Sequence, residues 1–150
     1  MPSAVTLIRS PRLADTEYAY AATVPAGYRL IFLAGSCPLN EDGSTAAVGD
    51  YAGQAAKAME NLEVALADAG ASLGDVVKTT VLVATTRQDD LVTAWQVVRD
   101  AFGEHDVPST LTGVTVLGYR DQLVEVEAVA AVLDAPEQPT ERDHGSAPST

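Results

Sequence analysis

The sequence predicts an α+β domain, a two-layer sandwich in which two helices cover one face of a six-stranded, mostly antiparallel sheet. Three observations carry this prediction. Segments 50–69 and 90–102 repeat apolar residues at helical spacing. Stretches such as RLIFLA and VVKTTVLVA are short, apolar and rich in β-branched residues, as strands are. In chain order, three strand-like segments precede the first helix, one separates the helices and two follow the second.

Ala4 to Ile8 reads as an edge strand ended by Arg9-Ser10-Pro11. Tyr18 to Val24 is the second strand, and the turn Pro25-Ala26-Gly27 suggests a hairpin with Arg29 to Ala34. Gly35 follows directly, where a missing side chain permits unusual dihedrals or close approach to another group. Pro38 has no N–H to give a ladder, so the strand ends before it. Residues 40–47 read as a polar loop.

Asp50 to Ala69 is the clearest helix, with Ala55, Ala58, Met59, Leu62, Ala65, Leu66 and Ala69 in one stripe. Asp50 is its candidate N-cap and Gly70 its stop, while Lys57 and Glu60 can pair on the outer side. Val76 to Ala84 is a nearly continuous apolar run, as expected for a strand covered on both faces. Asp90 to Phe102 is the second helix, with Thr85-Thr86 as its cap region, Asp89 three residues after Thr86 as a capping signal, and Gly103 as its end. Thr110 to Leu117 and Leu123 to Ala131 are strands joined by the turn Gly118-Tyr119-Arg120-Asp121. Two helices cannot cover both faces of such an apolar sheet, so a second subunit is expected on the other face.

The 150 residues are read as one domain over 1–133, followed by a Pro-, Ser- and charge-rich tail, 134–150, expected to be disordered. A single cysteine, Cys37, excludes an internal disulfide, and the two histidines make no metal-ligand pattern, so no metal or other cofactor is expected. The net charge of −12 argues against nucleic-acid and anionic-membrane partners. No apolar run is long enough to span a bilayer and no leader is evident, so a cytoplasmic location is expected.

In the last strand Glu125 and Glu127 share one face, opposite Val124 and Val126. Ionised carboxylates are costly to bury unpaired, so that face is either solvated or lines a site. Lone cysteines are commonly packing residues, although a reactive thiol at Cys37 stays open. Trp95 lies on the apolar helical stripe, which suits the core or a subunit interface, and His105 reads as a surface loop residue.

The segments FLAGSCPL, MENLEVALADAGASLGDVVKTTVLV and LVEVEAVA resemble the Rid (YjgF) family, also labelled L-PSP endoribonuclease, over about residues 16 to 132. The resemblance implies a chorismate-mutase-like fold, a homotrimer with small-molecule sites between subunits, and hydrolytic deamination of reactive 2-imino or 2-enamino acids. It places Glu125 as the water-orienting carboxylate, Gly35 as site backbone and Tyr18 as a ligand contact, and Ser36 and Cys37 are candidates as the neighbours of Gly35. Trp95, Ser109, Thr110 and Leu111 are further substrate-binding candidates, joined by Tyr119, whose amphipathic ring can point a hydroxyl into a cleft, and by Arg120 in the turn. Three positions depart from the family: Ser109 stands where the imine deaminases carry a carboxylate-clamping arginine, Trp95 replaces an asparagine, and Leu111 replaces a small polar or thiol residue. Arg120 is an alternative cation. These departures favour a neutral, larger or more apolar substrate. Beside the enzyme reading stand a non-catalytic metabolite-binding trimer and a ribonuclease, against which the acidic composition counts.

Overall fold

The computed structural model describes residues 3–134. The expected tail falls outside them, apart from Asp134. Six strands and two long helices are present, and the helices pack on one face of a mixed sheet. The strands are β1 Thr6–Ile8, β2 Ala21–Thr23, β3 Tyr28–Phe32, β4 Val76–Ala84, β5 Ser109–Val114 and β6 Val124–Leu133. The helices are α1 Tyr51–Asp68 and α2 Gln88–Phe102.

The six strands divide into a two-stranded sheet, β1-β2, and a four-stranded sheet in the order β3-β6-β4-β5. Two expected hairpins are therefore absent. β2 pairs antiparallel with β1, while β3 pairs with β6. β5 and β6 are sequence neighbours, yet β4 lies between them, parallel to β5 and antiparallel to β6. The physical reason is β4 itself. Its nine residues bury Val76, Thr79, Val81 and Val83, and a strand this dry needs ladder partners on both edges. The β4–α2–β5 crossover supplies the helix that a parallel connection requires.

α1 begins where its cap was expected, with the Asp50 carboxylate accepting from the Gly53 N–H. It ends in a reversal at Gly70, φ +83, where the Ala71 N–H returns to the Leu66 carbonyl. Ala55, Ala58, Met59, Leu62 and Leu66 are buried as the stripe requires, whereas Ala65 faces solvent. Lys57 and Glu60 pair at 3.4 Å. Within the expected Thr85-Thr86 cap region of α2, the Thr85 hydroxyl accepts the Arg87 N–H and donates to Asp90. His105 is half-buried, with its ring bonded to the Val76 carbonyl at 2.7 Å, and so is not a surface residue.

Gln54 is the one α1 position that the apolar stripe did not reveal. It is fully buried, accepts the Leu123 N–H at 2.7 Å and donates to the Asp121 carbonyl at 2.9 Å. One amide thus ties the turn before β6 to the helix. Register puts Leu30, Phe32, Lys78, Thr80, Leu82, Thr110, Glu125, Glu127 and Val129 on the sheet face away from the helices. That face is bare in the single chain: Phe32 is 75% exposed, Leu30 51% and Leu133 62%. Replacing Gln54 with Leu strands a buried N–H and a carbonyl, at a cost of about 2–4 kcal/mol. Urea unfolding should show a lower midpoint, and an unchanged midpoint would refute the role given to this amide.

Candidate functional site

Glu125 projects from the helix-free face of β6, directly opposite Leu82 on β4. The chain after β3 runs beside it. Ser36 forms a bridge with Val126, exchanging backbone bonds of 2.7 and 3.0 Å, and so lays Gly35 and Cys37 against the carboxylate. A Cβ on Gly35 would stand 2.7 Å from Glu125 Cδ and 2.9 Å from Oε2. The glycine is therefore required by close approach, one of its two sequence readings, and not by a positive φ.

The Cys37 thiol donates to Glu125 Oε1 at 3.1 Å. Burial pushes the thiol up to about 11, and the hydrogen bond and the charge of Glu125 push the same way. This is a protonated donor and a poor nucleophile at neutral pH. The Asn61 amide donates to the Cys37 and Leu39 carbonyls, both at 2.9 Å, and fixes this loop on α1. The buried Gln122 side chain, a further hydrogen-bond neighbour of the thiol, is held by the Tyr119 N–H and the Val124 carbonyl. Asn61 and Gln122 went unnoticed in the sequence because isolated amides carry no periodicity. Ser36 does not offer polar groups to a ligand as expected. Its N–H is bound to Val126 and its hydroxyl donates to the Ala58 carbonyl at 2.6 Å.

A second group lies along the free edge of β5. Tyr18, Trp95, Ser109, Thr110 and Leu111 line one open cleft of about 370 Å³. The rings of Tyr18 and Trp95 meet edge to face, 6.3 Å apart. The Trp95 indole N–H donates to Glu17 at 2.7 Å, and Arg99 pairs with the same carboxylate. Trp95 is thus a cleft wall as well as a helix packing residue. The Arg9 guanidinium donates to the Thr16 and Tyr18 carbonyls and pairs with Asp106, which anchors the segment carrying Tyr18. The Ser109 hydroxyl is shared with Thr79 at 2.5 Å and donates to the Val107 carbonyl at 3.0 Å, so it serves the scaffold.

Tyr119 and Arg120 belong to neither group. They line a separate cleft of about 410 Å³ with Gly43, Ser44, Thr45, Val48 and Asp121. Within one chain, Arg120 therefore does not stand in for an arginine at Ser109. Among the described residues, no cluster of His, Cys, Asp and Glu is arranged to hold a metal ion, and no helix is long and apolar enough to cross a membrane.

The chain and its two-layer α+β fold match known proteins. The family described as Endoribonuclease L-PSP matches residues 12–132, and the chain belongs to it. A RutC family protein of Pyrococcus abyssi is 33% identical over 111 residues, covering 74% of this chain and 84% of that protein. Among solved structures, the Yersinia pestis protein YyfB, of the conserved Rid family, superposes with a TM-score of 0.78 at 23% identity. That match covers 86% of this chain and 99% of the other. Rv2704 of Mycobacterium tuberculosis, from the highly conserved YjgF/YER057c/UK114 family, matches with a TM-score of 0.58 and 29% identity, over 85% and 99% of the two chains. The two-layer fold expected from the sequence is the fold of these structures.

The thiol gives a direct test of the Glu125 contact. Alkylation of Cys37 by iodoacetamide should rise toward pH 11 rather than near the ordinary thiol value of about 8.5. Glu125→Gln removes the charge that disfavours thiolate, so the alkylation profile should move to lower pH. An unmoved profile would show that the carboxylate does not touch the thiol in solution.

Proposed function

We propose that this chain works as a homotrimer on a small imine, enamine or related conjugated molecule, in clefts completed between subunits. The observation that carries the reading is the Glu125 carboxylate, wedged against Gly35 and taking one hydrogen bond from Cys37 on a sheet face that the helices leave bare. Such a carboxylate is held in one place but keeps lone pairs for water. In imine hydrolysis, water adds to the C=N carbon while Glu125 takes its proton and passes it to the nitrogen. The carbinolamine then collapses to the carbonyl compound and ammonia.

Two features support completion by another subunit. The Glu125 group and the Tyr18–Trp95 cleft share no lining residue within one chain. The face bearing Glu125 also carries exposed Phe32 and Leu30, apolar area that a partner would remove from water. Ser109 leaves its position in the cleft without a guanidinium. The scaffold role of its hydroxyl favours, as a second reading, a trimer that binds a metabolite without turning it over. The acidic surface counts against RNA as a substrate.

Imines generated in situ by a pyridoxal-phosphate lyase, with semicarbazide trapping what remains, give the assay. The wild-type chain should accelerate imine loss, and Glu125→Gln should lower the rate by about 10²-fold or more. Full activity in that variant would remove Glu125 from the chemistry. Binding without turnover in the wild type would leave the metabolite-binding reading. Phe32→Asp should dissociate the assembly in sedimentation equilibrium, and a wild type that sediments as a monomer would overturn the trimer.

A further inference from the structure

One side of α1 carries three polar tethers at helical spacing: the Gln54 amide, the Ala58 carbonyl and the Asn61 amide. Each holds one of the two segments that flank Glu125. Gln54 binds the turn before β6, through the Leu123 N–H and the Asp121 carbonyl. The Ala58 carbonyl accepts the Ser36 hydroxyl, and Asn61 donates to the Cys37 and Leu39 carbonyls. One helix therefore sets the spacing between the strand that carries the carboxylate and the loop that lies against it.

Alternation along residues 35–37 turns Ser36 toward α1, and Gly35 and Cys37 toward Glu125. The backbone there has little freedom left. Ser36 is bridged to Val126, and the fully buried Pro38 has a fixed φ. With its carbonyl held by Asn61, Cys37 keeps only the rotation of its side chain. Its thiol then meets Glu125 Oε1 at 3.1 Å and the Gly35 carbonyl at 3.5 Å. Among the described residues no other donor reaches this carboxylate. Oε2 accepts no hydrogen bond, is not sealed from solvent, and lies against the bare α-carbon of Gly35. The two oxygens are unequal: one is capped and the other keeps its lone pairs.

We propose that Asn61 is a positioning residue for Glu125: by holding the Cys37 carbonyl it directs the thiol to Oε1 and leaves Oε2 as the oxygen that takes the water proton and returns it to nitrogen. The inference rests on the proposed role of Glu125 in water addition and assigns the working oxygen within it. Asn61 touches neither substrate nor water. It stands on the helix side of the sheet and acts through the loop and the thiol. Its loss lets the carboxylate turn without removing a reacting group. A misaimed base costs rate in the transition state and leaves ground-state binding in place.

Asn61→Asp keeps the size of the side chain but turns acceptors toward the Cys37 and Leu39 carbonyls. In the imine assay it should lower kcat about tenfold, with KM within about twofold of wild type. Cys37→Ala should cost about as much, and Cys37→Ser, which keeps a hydroxyl donor, should retain most of the rate. The double variant Asn61→Asp/Cys37→Ala should be no slower than either single one, because both remove the same contact. The chain has one cysteine, so its S–H stretching band in Raman spectra is unambiguous. In Asn61→Asp that band should move to the position it takes in Glu125→Gln. Circular dichroism and sedimentation would verify that each variant is folded and assembled as the wild type, and Asn61→Ala carries the same test if Asn61→Asp does not fold. A wild-type kcat or an unmoved S–H band in the Asn61 variant, or losses that multiply in the double variant, overturn the positioning role and leave Glu125 as the base. A wild type without turnover overturns the reading of Glu125, and this proposal with it.

Discussion

A strand whose residues are nearly all apolar or β-branched, and whose one face is fully buried, has to be paired on both edges. Val76–Ala84 is that strand, and much of the molecule follows from placing it. Its pairing with β6 on one edge and β5 on the other separates two strands that adjoin in sequence. Its buried Val76, Thr79, Val81 and Val83 join the core built by α1 and α2. The opposite face receives no helix, and there the chain presents Glu125, Glu127, Lys78 and Phe32 side by side.

This bare face joins architecture to chemistry. A carboxylate on a helix-covered face would be desolvated and would need full pairing. On the open face, Glu125 needs only positioning, and a glycine and a thiol provide it. Gly35 admits the carboxylate by having no side chain, and Cys37 orients it with a proton the thiol keeps at neutral pH. Behind them Asn61, Gln122 and the bridge from Ser36 to Val126 hold the loop that carries both. The aromatic cleft is built differently, from the edge strand and a segment pinned by Arg9, Trp95 and Arg99.

Both helices were legible because their periodicity is long and their ends carry Asp50, Gly70 and Gly103. All six strand segments were legible as well, although their ends differ by a few residues. Pairing was not legible. A turn between two strands suggests a hairpin, but ladder partners are chosen by the whole sheet, and both expected hairpins gave way to β6 and β4. Of the candidate site residues, alternation set Glu125 and Glu127 together on one face, the resemblance chose Glu125 between them, and position after a strand singled out Gly35. The gathering of Tyr18, Trp95, Ser109, Thr110 and Leu111 into one cleft was not legible, because it joins residues up to 93 positions apart through the docking of the N-terminal segment and α2 on the edge of β5. Arg120 and Tyr119 lie elsewhere, because the turn that carries them packs toward residues 43–48.

By itself, the sequence determined the two-layer class, the helix limits, the apolar stripes and the alternation that sets Glu125 apart from Val124 and Val126. These are local properties, written in periods of two and 3.6 residues. Only the tertiary structure decided that Cys37 meets Glu125 across 88 positions, that Gln54 ties helix to turn, and that Asn61 holds the loop carrying Cys37. Those contacts depend on strand order and register, which emerge when the strands compete for partners and for burial, and no local spacing encodes them.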